Sequence, residues 1–215
     1  MSDTAGAQPH RQGAGLVRNV IFDLGGVVLE WNPDQILTRY QPDPERRMQL
    51  RHALFGHADW QLFDRGGLTE AEVIDRTHVR LGRPRCELVE IVAAVRDSLV
   101  AKPETVTLMR ALHQRGVALY CLSNMPASIY AQLRIRHEFW DVFRGIVISG
   151  EVMMVKPEPE VFTHLLERFG LRAQETVFVD DLPANVEAAA RIGLHTILFR
   201  DAAQCQQELD GLLTI

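Results

Sequence analysis

The chain has 215 residues and a mass of 24.3 kDa, room for one sizeable α/β domain and a smaller insertion. Hydrophobic residues make up 47% and charged residues 24%, an ordinary globular composition. A formal net charge of −5 argues against the basic face that displaces counterions from a nucleic acid. The densest basic stretch, Arg80 to Arg85, has no aromatic platform and reads as a solvated surface.

The three cysteines, Cys86, Cys121 and Cys205, are too scattered for a disulfide framework or a metal site, which fits a reducing cytoplasm. Cys121 lies in an apolar run and reads as a small core residue. No apolar run approaches the roughly 18 residues of a membrane span. Residues 1–15, rich in Gly, Ala and Gln, read as a disordered tail.

Val20-Ile21-Phe22 leads straight into Asp23, followed by Leu24-Gly25-Gly26-Val27-Val28. The apolar lead is that of a parallel strand covered on both faces. Asp23 then either faces a ligand, since ligands bind at the carboxyl ends of open α/β sheets, or opens a tight turn. Trp31-Asn32-Pro33 breaks the pattern, and helices are expected over 34–40, 44–55, 69–82 and 86–98. Thr69-Glu70-Ala71-Glu72 is a capping box, with Val73, Thr77 and Leu81 at helical spacing behind it. Phe63-Asp64-Arg65-Gly66-Gly67 is expected to be a flexible loop with an exposed charge. Residues 33–99 thus read as a helical lid inserted into a core formed by 16–32 and 100–215.

Beyond residue 103 helix and strand alternate. Helices over 103–115, 158–169 and 183–192 each run into a glycine, Gly116, Gly170 and Gly193, as left-handed caps require. Strands are expected over 117–122, 145–149, 176–179 and 195–199. With the first strand they make a doubly wound parallel sheet.

Polar residues gather where these strands end: Asp23, Ser123-Asn124, Lys156-Pro157 and Asp180-Asp181, with Asn185 on the following helix. Adjacent parallel strands bring such ends to one crevice. Clustered carboxylates repel unless a cation neutralises them, and Mg²⁺ accepts such oxygen ligands together with substrate phosphate. Lys156 is one of only two lysines, with Lys102, among 23 basic residues, a compact point charge where the chain otherwise uses arginine. Asp180-Asp181 could otherwise form a turn and helix cap.

In order and separation, Asp23-Leu24-Gly25-Gly26-Val27, Ser123-Asn124, Lys156-Pro157 and Asp180-Asp181 resemble the four motifs of the haloacid dehalogenase (HAD) superfamily. The insert resembles that family's C1-type cap, in the phosphatase branch of α-D-glucose-1-phosphate phosphatase, and Arg65-Gly66-Gly67-Leu68-Thr69 resembles that branch's substrate loop. The resemblance implies a Mg²⁺-dependent phosphatase acting on a small phosphorylated metabolite, a sugar phosphate by analogy, through an aspartyl-phosphate on Asp23. It makes Asp23, the Gly25 carbonyl, Asp181 and Asp180 metal ligands, with Asn185 in support. Ser123, Asn124 and Lys156 would hold the phosphoryl group, and Lys156 would keep Asp23 ionised. Trp60, Phe63 and Arg65 would lie near the leaving group. One position departs from the common pattern: Gly25 stands where most such phosphatases carry an acidic proton donor. Two other functions stay open, a metal-independent 2-haloacid dehalogenase and a non-catalytic phosphate-binding protein. Paired acids at 180–181 and the small Gly25 argue against the first; only Gly25 favours the second.

Overall fold

The structure, a computed structural model, describes residues 17–213; the tail expected over residues 1–15 lies outside them. Five strands form a single sheet: β1 (Asn19–Phe22), β2 (Ala118–Ser123), β3 (Phe143–Ile148), β4 (Thr176–Asp180) and β5 (His195–Leu198). Their spatial order is β3-β2-β1-β4-β5, and every neighbouring pair is parallel. The chain winds outward from β1 through β2 to β3, then crosses to β4 on the other side of β1. The order therefore reverses between β1 and β4, where a crevice opens at the carboxyl ends.

Alternation of side chains across the sheet divides its residues between two apolar layers. Val20, Phe22, Leu119, Cys121, Val177 and Val179 enter one; Ile21, Tyr120, Leu122 and Phe178 enter the other. The strands are continuous apolar runs because both faces are covered. Cys121 is fully buried, and burial holds its thiol far above the usual range, which makes it a packing residue and no nucleophile.

Between β1 and β2 the chain forms six helices: α1 (Pro33–Thr38), α2 (Pro44–Phe55), α3 (Ala58–Arg65), α4 (Glu70–Leu81), α5 (Arg85–Ser98) and α6 (Pro103–Gln114). A third apolar cluster, including Leu37, Leu54, Trp60, Ile74, Ile91 and Val95, is built from the first five of these alone. The α4 start is the expected capping box: Glu72 N donates to Thr69 Oγ1 at 3.3 Å, and Thr69 N donates to Glu72 Oε2 at 2.8 Å.

α3 corrects the expected loop over 63–67. Its eight residues span little more than two turns, too short for the periodicity of Trp60 and Phe63 to stand out in the sequence. Phe63 is buried, and the helix ends on Gly66, whose φ of 86° is left-handed. Downstream lie α7 (Ala127–Arg136), α8 (Ser149–Val152), α9 (Pro159–Phe169), α10 (Pro183–Arg191) and α11 (Ala202–Leu212). Gly116, Gly170 and Gly193 all take positive φ after their helices. No helix among the described residues is long and apolar enough to cross a membrane.

α3 is tied to α8 and the loop beyond it. Ser149 Oγ donates to the Asp64 carbonyl at 2.6 Å, Arg65 pairs with Glu158 and Arg65 Nη1 donates to the Met153 carbonyl at 3.3 Å. A side chain at Gly66 would place its Cβ 2.6 Å from the Gly150 carbonyl oxygen, so the close approach needs glycine in both conformation and size.

Candidate active site

β1 delivers Asp23, β2 delivers Ser123 and Asn124, and β4 delivers Asp180 and Asp181, all at the carboxyl edge. The loop after α8 brings in Lys156. With Gly25 and Asn185, seven of these eight residues line one cavity of about 160 Å³; Asp180 lies beneath it, fully buried.

Lys156 is the hub of the floor. It is 4% exposed, and its Nζ lies 2.8 Å from Asp23 Oδ1 and 2.7 Å from Asp180 Oδ2. Burial alone would lower its pKa, but Asp23 and Asp180 more than offset that and raise it, so the ammonium is kept. The Asn124 side chain fixes the lysine's backbone reciprocally: Nδ2 donates to the Lys156 carbonyl at 2.9 Å and Oδ1 accepts from Lys156 N at 2.8 Å.

Asp180, expected among the metal ligands, is also held by hydrogen bonds from its neighbours. Its Oδ1 accepts from Leu182 N at 2.8 Å and from Asn185 Nδ2 at 3.0 Å; its Oδ2 accepts from Lys156 Nζ at 2.7 Å and again from Asn185 Nδ2 at 3.0 Å. A carboxylate offers about four acceptor sites, and these bonds use them. Asp180 thus orients the lysine and Asn185 from beneath the cavity.

Asp23, Asp180 and Asp181 each place a carboxylate oxygen within 4.8 Å of the others. Burial pushes the Asp23 carboxyl up to about 7 against the pull of Lys156, with Asp180 and Asp181 adding to the rise. Burial raises Asp181 as well, with Asp180 adding to it. One ammonium does not balance three carboxylates, so the donor set fits a divalent cation. Gly26, at φ 78°, leaves room for this: a Cβ there would come within 2.2 Å of Asp181 Oδ2.

The opposite wall is apolar. Trp31 and Trp60, together with Val95, Leu99, Met125 and Ile129, face the acidic floor. Phe55 links the two tryptophans edge-on, with ring centroids 5.6 and 4.7 Å away. Of the three insert residues expected near the leaving group, Trp60 lines the cavity and Phe63 and Arg65 do not. Phe63 is drawn into the core beneath α3, and Arg65 turns to Glu158 and Met153. Asp64 takes their place as the polar residue of that wall. Sequence reasoning passed over it because the loop assignment left no face to α3. Burial raises its pKa well above the usual carboxylate range.

Comparison with known proteins agrees with this geometry. The sequence profile of the haloacid dehalogenase-like hydrolases matches residues 17–193. The chain is 31% identical over 193 residues to the sesquiterpene phosphatase astK of Aspergillus oryzae, covering 90% of this chain and 95% of that one. It is 27% identical over 200 residues to the drimenol cyclase drtB of Aspergillus calidoustus, 92% of this chain but only 37% of the cyclase. The HAD family enzyme bt-2542 of Bacteroides thetaiotaomicron, solved with magnesium and inorganic phosphate, superposes with a TM-score of 0.68 at 25% identity, covering 86% of this chain and 94% of that one. With five parallel strands and the profile spanning most of its length, the chain belongs to the haloacid dehalogenase-like hydrolases.

Proposed function

We propose that the protein is a Mg²⁺-dependent phosphatase that hydrolyses a small phosphate ester through an aspartyl-phosphate on Asp23. The observation that carries the reading is Lys156, fixed between Asp23 and Asp180 at 2.8 and 2.7 Å on the floor of the cavity. A buried ammonium beside a strand-end carboxylate suits an anionic substrate and opposes the burial that raises that carboxylate's pKa. The sesquiterpene phosphatase and the phosphate-bound bt-2542 support the same chemistry.

In this reading Asp23 attacks phosphorus, Lys156 holds one phosphoryl oxygen, and the Ser123 hydroxyl and Asn124 amide hold the others. Asp23, the Gly25 carbonyl and Asp181 would ligate the cation, with Asp180 and Asn185 bracing the set. Bound Mg²⁺ supplies positive charge to the phosphoryl oxygens and offsets the acidic cluster.

The walls bear on the substrate. The cavity's polar groups lie mostly at the phosphoryl end. A sugar's hydroxyl groups would be left largely unpaired there, at a cost. An ester of a small apolar alcohol fits better than the sugar phosphate expected from the sequence.

The test is phosphate release from p-nitrophenyl phosphate and from alkyl phosphates, with Mg²⁺ and with EDTA. Metal-dependent release by the native protein, lost to background in Asp23→Asn, is expected. Turnover by Asp23→Asn at the native rate overturns the assignment, because an amide cannot be the nucleophile.

A further inference from the structure

We propose that Asp64, supplied by the insert, protonates the leaving-group oxygen and then deprotonates the attacking water, replacing the acid that Gly25 lacks. The inference rests on the phosphatase reading above.

Three observations converge. Gly25 borders the cavity with no side chain to give a proton. Asp64 lines the same cavity from the insert's side, among the apolar residues placed for the leaving group. Its position is held from the core, since its carbonyl accepts from Ser149 Oγ at 2.6 Å. Burial is the sole influence on the Asp64 carboxyl, with no opposing cation or hydrogen-bond donor among the described residues. An acid whose pKa is raised by an apolar wall is suited to hold and deliver a proton.

The step balances. Asp23 forms an O–P bond as the bond from phosphorus to the leaving oxygen breaks. That oxygen keeps the electron pair, takes the Asp64 proton and departs as the alcohol. A water oxygen then attacks phosphorus while the Asp64 carboxylate accepts a water proton. The Asp23–phosphorus bond breaks, which restores Asp23 as a carboxylate, Asp64 as an acid, and releases inorganic phosphate.

The experiment compares native protein and Asp64→Asn across a series from p-nitrophenyl phosphate to simple alkyl phosphates, with Mg²⁺ present. kcat/KM reports the first step alone. For alkyl phosphates it should fall about 10²–10⁴-fold in Asp64→Asn, and for p-nitrophenyl phosphate, whose phenolate leaves unaided, by only a few-fold. The variant should also show a burst of p-nitrophenol, because hydrolysis of the aspartyl-phosphate loses its base. In the native protein the alkyl-to-aryl ratio of kcat/KM should decline as pH rises through the Asp64 titration, a reading that needs no mutant. An equal loss for both ester types, or a native ratio that is flat with pH, overturns the role of Asp64. Absence of phosphate release from every ester by the native protein instead overturns the phosphatase reading, and this inference with it.

Discussion

The floor and the roof of the cavity are built on opposite physical plans. The floor concentrates charge: Lys156, Asp23, Asp180 and Asn185 are each at most 7% exposed and are knitted by bonds of 2.7 to 3.0 Å. The roof is aromatic and aliphatic, packed around Trp31, Phe55 and Trp60, with the acidic residue Asp64 among its lining. A preorganised floor performs one operation on any phosphoryl group, because its dipoles and charges need no rearrangement. In the proposed reading the roof contacts what varies between substrates. Reaction type and specificity are therefore separable, and each can be altered while the other stays.

The largest effect should come from the floor. Lys156→Met keeps volume but leaves Asp23 and Asp180 buried without their counter-charge, a change worth about 3–5 kcal/mol. Urea unfolding should show that loss, and phosphate release should vanish with it. A variant as stable as the native protein would mean the carboxylates are neutral there, and the ionic account of the floor would fall.

Trp60→Ala tests the roof. Loss of an apolar contact changes discrimination by about 10–200-fold, so the kcat/KM ratio between a bulky and a small alkyl phosphate should shift within that range. Turnover of the small ester should stay near native. A uniform loss across esters would show that Trp60 supports the fold and does not select.

Arg65→Ala probes the clamp between the two and should do least. Its pairing with Glu158 is partly exposed on both sides, and such ion pairs contribute about 0–1 kcal/mol. KM should rise modestly for every ester, with their ranking unchanged because Arg65 does not line the cavity. A changed ranking would return Arg65 to the substrate's surroundings.

How legible all this was varies along the chain. The parallel sheet was readable because both-face burial writes an unbroken apolar run, as in Val177-Phe178-Val179, and because Gly170 and Gly193 mark helix ends by a conformation few other residues adopt. Asp23 and Asp181 were readable for the same reason: once the strands are located, their carboxyl ends are located too, whereas Lys156 comes from the loop after α8. That Asn185 and Leu182 also bond the Asp180 oxygens was not readable, since only the folded neighbourhood reveals it.

The insert was harder. The α4 capping box is a local device, encoded within four residues, and the structure carries it as expected. α3 has eight residues and owes its course to contacts with Ser149, Gly150 and Glu158, more than 80 positions away in the case of Ser149. Those contacts turn Arg65 outward, bury Phe63 and leave Asp64 facing the site. Residue types, strand ends and helix caps are properties of short stretches of chain, so the amino-acid sequence alone determined the sheet, the acidic floor and the family. Which of three consecutive residues lines the cavity depends on the rotation of one short helix, and that rotation is set by packing between distant segments. Only the tertiary structure decided it.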